Sequence, residues 1–169
     1  MKTRAPTPSG AGAKRLAALS LLLTIGCAAG DTQMNAESLQ EFAARYTAAW
    51  SSGDASSVAA FHADNGSLTI NEGEPAIGRE GITAAAQGFM TAFPDMIVQM
   101  DSLVTKDSTV EYHWTFTGTN TGPGGTGNAV RISGYEEWTL GDDGLIVASK
   151  GNYDEAEYNR QLESGVDRS

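Results

Sequence analysis

The chain has 169 residues and a formal net charge of −10, with 40% hydrophobic and 19% charged residues. This composition indicates one globular domain and excludes a disordered or collagen-like chain, while the acidic charge argues against binding to nucleic acid. The single cysteine and two histidines exclude a disulfide framework within the chain and a cysteine-based zinc cluster, so we expect no metal site.

Residues 1–26 have the pattern of an export signal, with basic residues ahead of the apolar run Leu16–Gly26. That run is too short to span a membrane. It ends at the only cysteine, Cys27, and the stretch 24–27 is similar to a bacterial lipobox, in which the cysteine becomes the lipidated first residue. We therefore predict a lipoprotein that contacts the membrane only through its lipid anchor, at the cell envelope, with residues 27–35 as a tether.

Two other interpretations of this N-terminal segment stay open. Small residues after the apolar run also suit ordinary signal cleavage near Ala28 or Ala29, which would give a secreted or periplasmic soluble protein. The third possibility is an uncleaved N-terminal helix buried in the domain.

Helical patterns dominate the first half of the remaining chain. Apolar residues recur at three- and four-residue steps between residues 36 and 50, which predicts an amphipathic helix. Asp54 is a suitable cap for a second helix over residues 55–62. We expect His62 to end that helix in a structural role, with its protonated ring favoured by the helix dipole. A third helix begins at residue 79 or 80 and ends before Pro94.

The second half alternates apolar and polar residues, which is typical of strands with one buried face. The predicted strands cover residues 96–100, 110–116, 130–140 and 145–153, after a turn at 63–66 and an earlier short strand at 67–70. A closing helix follows over 154–162, and residues 164–169 form a flexible tail. The expected fold is α+β, with one domain over residues 36–163 and a curved antiparallel sheet wrapped around the N-terminal helices, leaving a cavity.

Glu136 is the strongest candidate for chemistry. It has the same strand parity as Ile132 and Trp138, so its carboxylate should face the apolar side, where burial raises its pKa and makes it a suitable general base. Three alternatives are open. A bulge would turn Glu137 inward instead, Glu136 would serve as a paired structural carboxylate, or Lys150 would neutralise it if the hairpin register allows.

Whether the other candidate residues line the pocket depends on which face of the sheet is concave. His113 alternates with its aromatic neighbours, so it lines the pocket only if the polar set faces inward, and otherwise it is exposed or at a subunit interface. The glycine-rich stretch 118–128 is interpreted as a mobile loop and a possible lid. Six aromatic residues are expected either to line a pocket or to pack in the core: Tyr46, Trp50, Phe89, Phe93, Trp114 and Trp138.

The order of several short motifs resembles the SnoaL-like polyketide cyclase family over residues 36–162. The motifs include Phe61-His62-Ala63-Asp64, Phe93-Pro94-Asp95 and Gly118-Thr119-Asn120-Thr121-Gly122. The resemblance implies the cone-shaped fold of nuclear transport factor 2, a hydrophobic pocket, a homodimer, and intramolecular aldol cyclisation without metal or cofactor.

The chain departs from the family pattern at matched positions. Asn152 stands where the cyclases carry the acid/base Asp, Glu136 and Trp138 stand where they carry Gln and His, and Asn120 replaces a loop His. An amide cannot accept and return a proton, but Asn152 can donate a hydrogen bond to an enolate or carbonyl oxygen. Its alternative role is to cap the closing helix.

These observations predict an exported domain that binds a small hydrophobic molecule. In the enzymatic interpretation it is a cofactor-independent cyclase, isomerase or hydrolase, with Glu136 as base and with Asn152 and His113 orienting or polarising a carbonyl group. The alternative is a non-catalytic ligand-binding or assembly module at the cell envelope, which the replaced acid/base Asp favours.

Overall fold

The computed structural model describes residues 35–167. The predicted export signal, the lipidation site Cys27 and most of the tether lie outside the described residues. Within the described part, no helix is long and apolar enough to cross a membrane.

Four helices and six strands make an α+β fold, as predicted. The helices are α1 (Ala36–Trp50), α2 (Ala55–Ala59), α3 (Gly78–Ala92) and α4 (Glu155–Ser164). The strands are β1 (His62–Ile70), β2 (Ala76–Ile77), β3 (Ile97–Lys106), β4 (Thr109–Thr119), β5 (Ala129–Leu140) and β6 (Ile146–Tyr153).

The strands form one curved sheet in the order β2-β1-β6-β5-β4-β3. All neighbouring pairs are antiparallel except β1 and β6, which run parallel. The parallel pair follows from the long connection between these strands, which contains α3 and the β3–β5 meander. Helix α1 contacts β3 and α2, and α4 contacts β5.

Helix α1 shows how the sequence pattern produces the core. Asn35 caps the helix by accepting a hydrogen bond from the backbone N–H of Ser38 at 2.9 Å, which satisfies one of the free donors of the first turn. The buried side chains recur at the spacing of a single helix face: Leu39, Phe42, Ala43, Tyr46, Ala49 and Trp50. This face packs against the sheet.

The second helix is shorter than its sequence pattern predicts. It ends at Ala59, and His62 begins β1, so the expectation that His62 ends a helix was wrong. The stretch 63–66, expected as a turn, belongs to β1, where the register against β6 shifts between His62 and Ser67. His62 is fully buried, and burial lowers its pKa to about 4, so the ring is neutral, not protonated, near pH 7.

The glycine-rich loop is tethered. Gly122 donates its backbone N–H to the carbonyl oxygen of Ala92 at the end of α3, and the Asn120 side-chain amide donates to the same oxygen. Asn120 also accepts a hydrogen bond from the backbone N–H of Thr126, which closes the loop on itself. No residue of this loop lines the cavity described below, so the expected lid is not observed.

Candidate functional site

A cavity of about 80 Å³ lies between the helices and the concave face of the sheet. Fourteen residues of the described part of the chain line it, and half of these are aromatic: Trp50, Phe89, Tyr112, Trp114, Phe116, Tyr153 and Tyr158. Aliphatic side chains supply most of the remainder: Leu68, Ile70, Met96, Val98 and Ile132. Among the described residues, the only charged one in the lining is Glu136. The cavity is therefore an apolar, aromatic site with a single carboxylate.

Strand register explains why Glu136 faces the cavity. It is the Cα partner of Tyr112 on β4 and of Gly151 on β6, and directly paired residues present their side chains on the same face of a sheet. Glu137 pairs with Glu111 and Lys150 on the opposite face. The alternative that a bulge turns Glu137 inward is therefore excluded.

Three donors hold one oxygen of the carboxylate. Glu136 Oε2 accepts hydrogen bonds from the Tyr46 hydroxyl at 2.9 Å, the Trp138 indole N–H at 2.9 Å and the Ser149 hydroxyl at 2.7 Å. Among the described residues, none donates to Oε1. The carboxylate is thus fixed by Oε2 and presents Oε1 as its unpartnered oxygen.

Burial raises the pKa of Glu136, and the three hydrogen bonds oppose this effect only in part. No ion pair of the described residues includes Glu136. Lys150, which was considered as a neutralising partner, is exposed and lies on the outer face. Burying a carboxylate without a counter-ion costs folding free energy, so this arrangement is unusual for a purely structural residue.

Burial and the neighbouring Glu136 carboxylate both raise the pKa of the Tyr46 hydroxyl, and burial has the larger effect. The Trp50 indole opposes this rise in the pKa of Tyr46, although its N–H forms no hydrogen bond to any described residue. Tyr46 therefore stays protonated and acts as a donor to Glu136.

The hydroxyl of Tyr112 forms a hydrogen bond with Thr47 and not with Glu136. It lies 2.7 Å from Thr47 Oγ1, and Thr47 gives its own proton to the carbonyl oxygen of Ala43. Because a hydroxyl has only one proton, Tyr112 must be the donor to Thr47. Tyr112 thus presents its ring to the cavity and has no proton left to donate to a ligand.

Two glycines, Gly134 and Gly151, lie on the cavity face of β5 and β6 near Glu136. A Cβ added at Gly134 would lie 2.7 Å from the Trp114 ring and 2.5 Å from the backbone oxygen of Asn152. A Cβ at Gly151 would lie 3.7 Å from Glu136 Cγ. Gly134 therefore allows Trp114 to lie flat against β5, and Gly151 leaves the carboxylate uncovered by its cross-strand partner.

The structure does not bring Asn152 to Glu136. Asn152 is the Cα partner of Tyr135, on the outer face, and its side-chain N–H donates to the carbonyl oxygen of Lys150 at 3.2 Å. The expected shared site fails because β6 carries an extra residue near Val147, where the register shifts between Thr139 and Leu140. Its alternative role is not observed either, since Asp154 caps α4.

His113 also lies on the outer face. It pairs with Tyr135 across the strands, and its Nε2 lies 3.3 Å from Glu111 Oε2. The other carboxylate oxygen of Glu111, Oε1, binds Lys106. The concave face carries the aromatic set of β4, so of the two orientations considered the one that places His113 on the outer face is observed, where the ring is half-buried. His113 therefore has no contact with the cavity.

The predicted aromatic residues divide into two groups. Trp50, Phe89 and Trp114 line the cavity. Phe93 is fully buried outside it, while Tyr46 and Trp138 are fully buried behind Glu136. Tyr46 and Trp138 thus act by positioning the carboxylate and do not form the wall.

Several site residues were missed in the sequence. Tyr112 has the parity of Trp114 and Phe116, so the alternation on β4 contained the signal. Ser149 and Tyr153 could not be found by parity because the extra residue in β6 reverses it. Within residues 35–167, no cluster of three or more metal-ligating side chains occurs.

Comparison with solved structures places the fold among known ones. A hypothetical protein with a ketosteroid isomerase-like fold from Catenulispora acidiphila, in complex with trimethylamine, has a TM-score of 0.64 at 15% identity, covering 72% of this chain and 92% of that one. A putative SnoaL-like polyketide cyclase from Jannaschia sp. has a TM-score of 0.63 at 17% identity, covering 75% and 92%.

A third similar structure is SalBIII, described as an epoxide hydrolase/cyclase-like enzyme in pyran ring formation of the polyether salinomycin. Its TM-score is 0.62 at 17% identity, covering 72% of this chain and 94% of that one. At these identities the likeness concerns the fold alone. A search of curated protein sequences found no match.

A family model supplies the assignment that the structural neighbours leave open. The model of the SnoaL-like polyketide cyclases matches residues 40–162, which include every strand and helix of the described domain except the first residues of α1 and the last of α4. The chain therefore belongs to the SnoaL-like polyketide cyclase family.

Proposed function

We propose that the domain binds a small, largely apolar molecule in its aromatic cavity and transfers a proton on that molecule without a cofactor, with Glu136 as the general base. The observation that carries this proposal is the Glu136 carboxylate itself, which reaches an apolar cavity with one oxygen fixed by three donors and the other unpartnered. The reaction class is that of a cyclase, isomerase or hydrolase.

The environment of Glu136 suits a base. Its raised pKa, caused by burial, moves the carboxylate toward the range where a base is both ionised and basic near neutral pH. The three donors fix its orientation, which reduces the freedom lost when a substrate aligns with it. The neighbour SalBIII, described as an epoxide hydrolase/cyclase-like enzyme, supports the reaction class.

A generic probe tests this role before the substrate is known. A carboxylate in an apolar pocket removes the ring C–H proton of 5-nitrobenzisoxazole. The N–O bond then breaks and a coloured cyanophenolate forms, so no co-reactant is needed. We expect the purified protein to accelerate this elimination, and Glu136→Gln to lower the rate at least tenfold.

Glu137→Gln is the matched control, because it removes the same charge from the adjacent residue on the opposite face. It should retain the wild-type rate. Equal rates for the wild type and Glu136→Gln would refute the base role. A rate that does not rise with pH through the titration of Glu136 would also contradict it.

A second candidate is a non-catalytic ligand-binding or assembly module. The observation in its favour is that Asn152 and His113, the other predicted polar groups, lie on the outer face, so neither of them stands beside Glu136 to polarise a carbonyl group of a ligand. Slow elimination by the wild type, together with measurable binding of small molecules, would favour this module over the enzyme.

Export and lipidation remain part of the proposal and are supported by the sequence of residues 1–27. Expression of the full chain in a bacterial host should give a membrane-associated form carrying acyl chains, detected by mass spectrometry. Cys27→Ser should abolish both the added mass and the membrane association. A soluble mature protein starting at Ala28 or later would instead indicate ordinary signal cleavage.

We also propose a homodimer formed through the outer face of the sheet. That face presents exposed apolar side chains, Ile97, Val104 and Tyr135, on β3 and β5. Light scattering coupled to size exclusion at tens of micromolar should give twice the monomer mass. A monomer under these conditions would reject the dimer.

A further inference from the structure

The cavity combines aromatic walls and a buried negative charge with a lack of internal positive charge. Within residues 35–167, the lining contains no Lys, Arg or His, and no cation there forms an ion pair with Glu136. The hydrogen bonds to Oε2 come from neutral donors on Tyr46, Trp138 and Ser149. The carboxylate therefore has hydrogen-bond partners but no counter-ion.

The aromatic walls fit a cation better than an anion. Aromatic faces carry partial negative charge and attract organic cations, most strongly where water is excluded. The polar edges of the two tryptophans in the lining do not counteract this attraction, because the indole nitrogens of Trp50 and Trp114 are completely covered by protein. Only carbon atoms of these two indole rings reach the cavity.

We infer that the ligand of this cavity is a small organic ammonium ion, whose charged nitrogen pairs with Glu136 Oε1 while its carbon groups contact the rings of Trp50, Trp114 and Tyr153. The inference rests on the proposed function, because it names the ligand class of the same cavity. It accounts for the missing counter-ion, which a neutral apolar ligand leaves unexplained, and it agrees with the concentration of aromatic rings in the lining.

The size of the site limits the ligand to a small one. The cavity has a volume of about 80 Å³, and Gly151, the cross-strand partner of Glu136, lines it without a side chain that would cover the carboxylate. A trimethylammonium or similar head group matches this space. The overall negative charge of the chain, −10, would also raise the local concentration of cations.

A pair of probes that differ only in charge tests the inference. Choline and 3,3-dimethylbutan-1-ol have the same shape, but choline has a quaternary nitrogen where the alcohol has carbon. Their affinities for the purified protein are measured by calorimetry and by quenching of tryptophan fluorescence. We expect choline to bind the wild type at least tenfold more tightly than the alcohol.

Two variants separate the carboxylate from the shape of the cavity. Glu136→Gln should bind choline more weakly and show a smaller preference for it, because only the aromatic rings then favour the cation. Glu137→Gln should keep the wild-type preference because Glu137 lies on the opposite face. The wild-type comparison needs no variant, so the test stands even if Glu136→Gln does not fold. Equal or tighter binding of the neutral alcohol overturns the inference.

The outcomes distinguish this inference from the proposed function. If neither probe binds while the protein accelerates benzisoxazole elimination through Glu136, the ammonium ligand is refuted and the base role stands. If choline binds preferentially but no elimination occurs, the ligand class is supported and the base role fails.

Discussion

The hydrogen bond from Tyr46 to Glu136 gives the sharpest test of the site. Tyr46→Phe removes only a hydroxyl that is fully buried and donates to Oε2 at 2.9 Å. A hydrogen bond to a charged group contributes about 1.5–3 kcal/mol, against about 0.5–1.5 kcal/mol for a neutral pair. With Trp138 and Ser149 still bound to Oε2, we expect a loss of about 2 kcal/mol in the free energy of unfolding.

The loss should depend on pH in a definite direction. The Tyr46 hydroxyl stabilises the ionised carboxylate, so the variant raises the pKa of Glu136 further above its ordinary range. The destabilisation is therefore fully present where Glu136 is ionised. It falls toward the value for a neutral pair, about 1 kcal/mol, as the pH drops below the titration of Glu136 in the folded protein.

Tyr112→Phe is the matched control. Tyr112 is also fully buried and stacks on Trp138 with ring centroids 4.7 Å apart, but its hydroxyl bonds Thr47. Both variants are compared with the wild type by urea unfolding at pH 5 and pH 8. The Tyr112 variant should lose about 1 kcal/mol at both values. Equal, pH-independent losses for the two variants would refute the proposed role of Tyr46.

Three further changes test other parts of the structure. The pKa of His62 is about 4 in the folded chain against 6.5 ordinarily, so the unfolded chain takes up the proton first and stability falls as the pH drops from 6.5 toward 4. This pH-dependent part of the stability is about 3 kcal/mol. Urea unfolding across this pH range should show it in the wild type and not in His62→Phe. Gly134→Ala forces Trp114 and the backbone near Asn152 apart and should cost about 1–3 kcal/mol, with a changed tryptophan emission; an unchanged spectrum and stability would contradict the close contact. Asp154→Ala removes the cap of α4, whose carboxylate accepts from the backbone N–H of Glu157, and should lower the melting temperature by an amount equivalent to about 1 kcal/mol, whereas an unchanged melting temperature would show that the cap is dispensable.

The sequence predicted those parts of the fold that depend on one local periodicity. Helix α1 was found with its correct bounds because a single face carries all of its buried residues. The inward direction of Glu136 was found because β4 and β5 pair without interruption from Thr109 to Thr119. In both cases the apolar residues that repeat in the sequence are the ones on the buried face of the helix or strand.

The parts that were missed depend on interruptions that a sequence pattern does not show. His62 was assigned to a helix because the residues after it have a turn-like composition, yet they form an irregular segment of β1 against β6. Asn152 was expected beside Glu136 because nothing in the sequence shows the register shift at the start of β6. A single extra residue changes the face of every residue that follows it.

The extra residue near Val147 also determines whether a lysine of this chain lies opposite Glu136 in the cavity. Leu140 pairs with Ile146, but Thr139 pairs with Ala148. If the same residues paired without the shift, Lys150 would stand opposite Glu136 and Asn152 opposite Gly134. The carboxylate would then face an amine belonging to its own chain. The irregular pairing instead turns Lys150 to solvent and leaves the position of a positive charge to be filled from outside the protein.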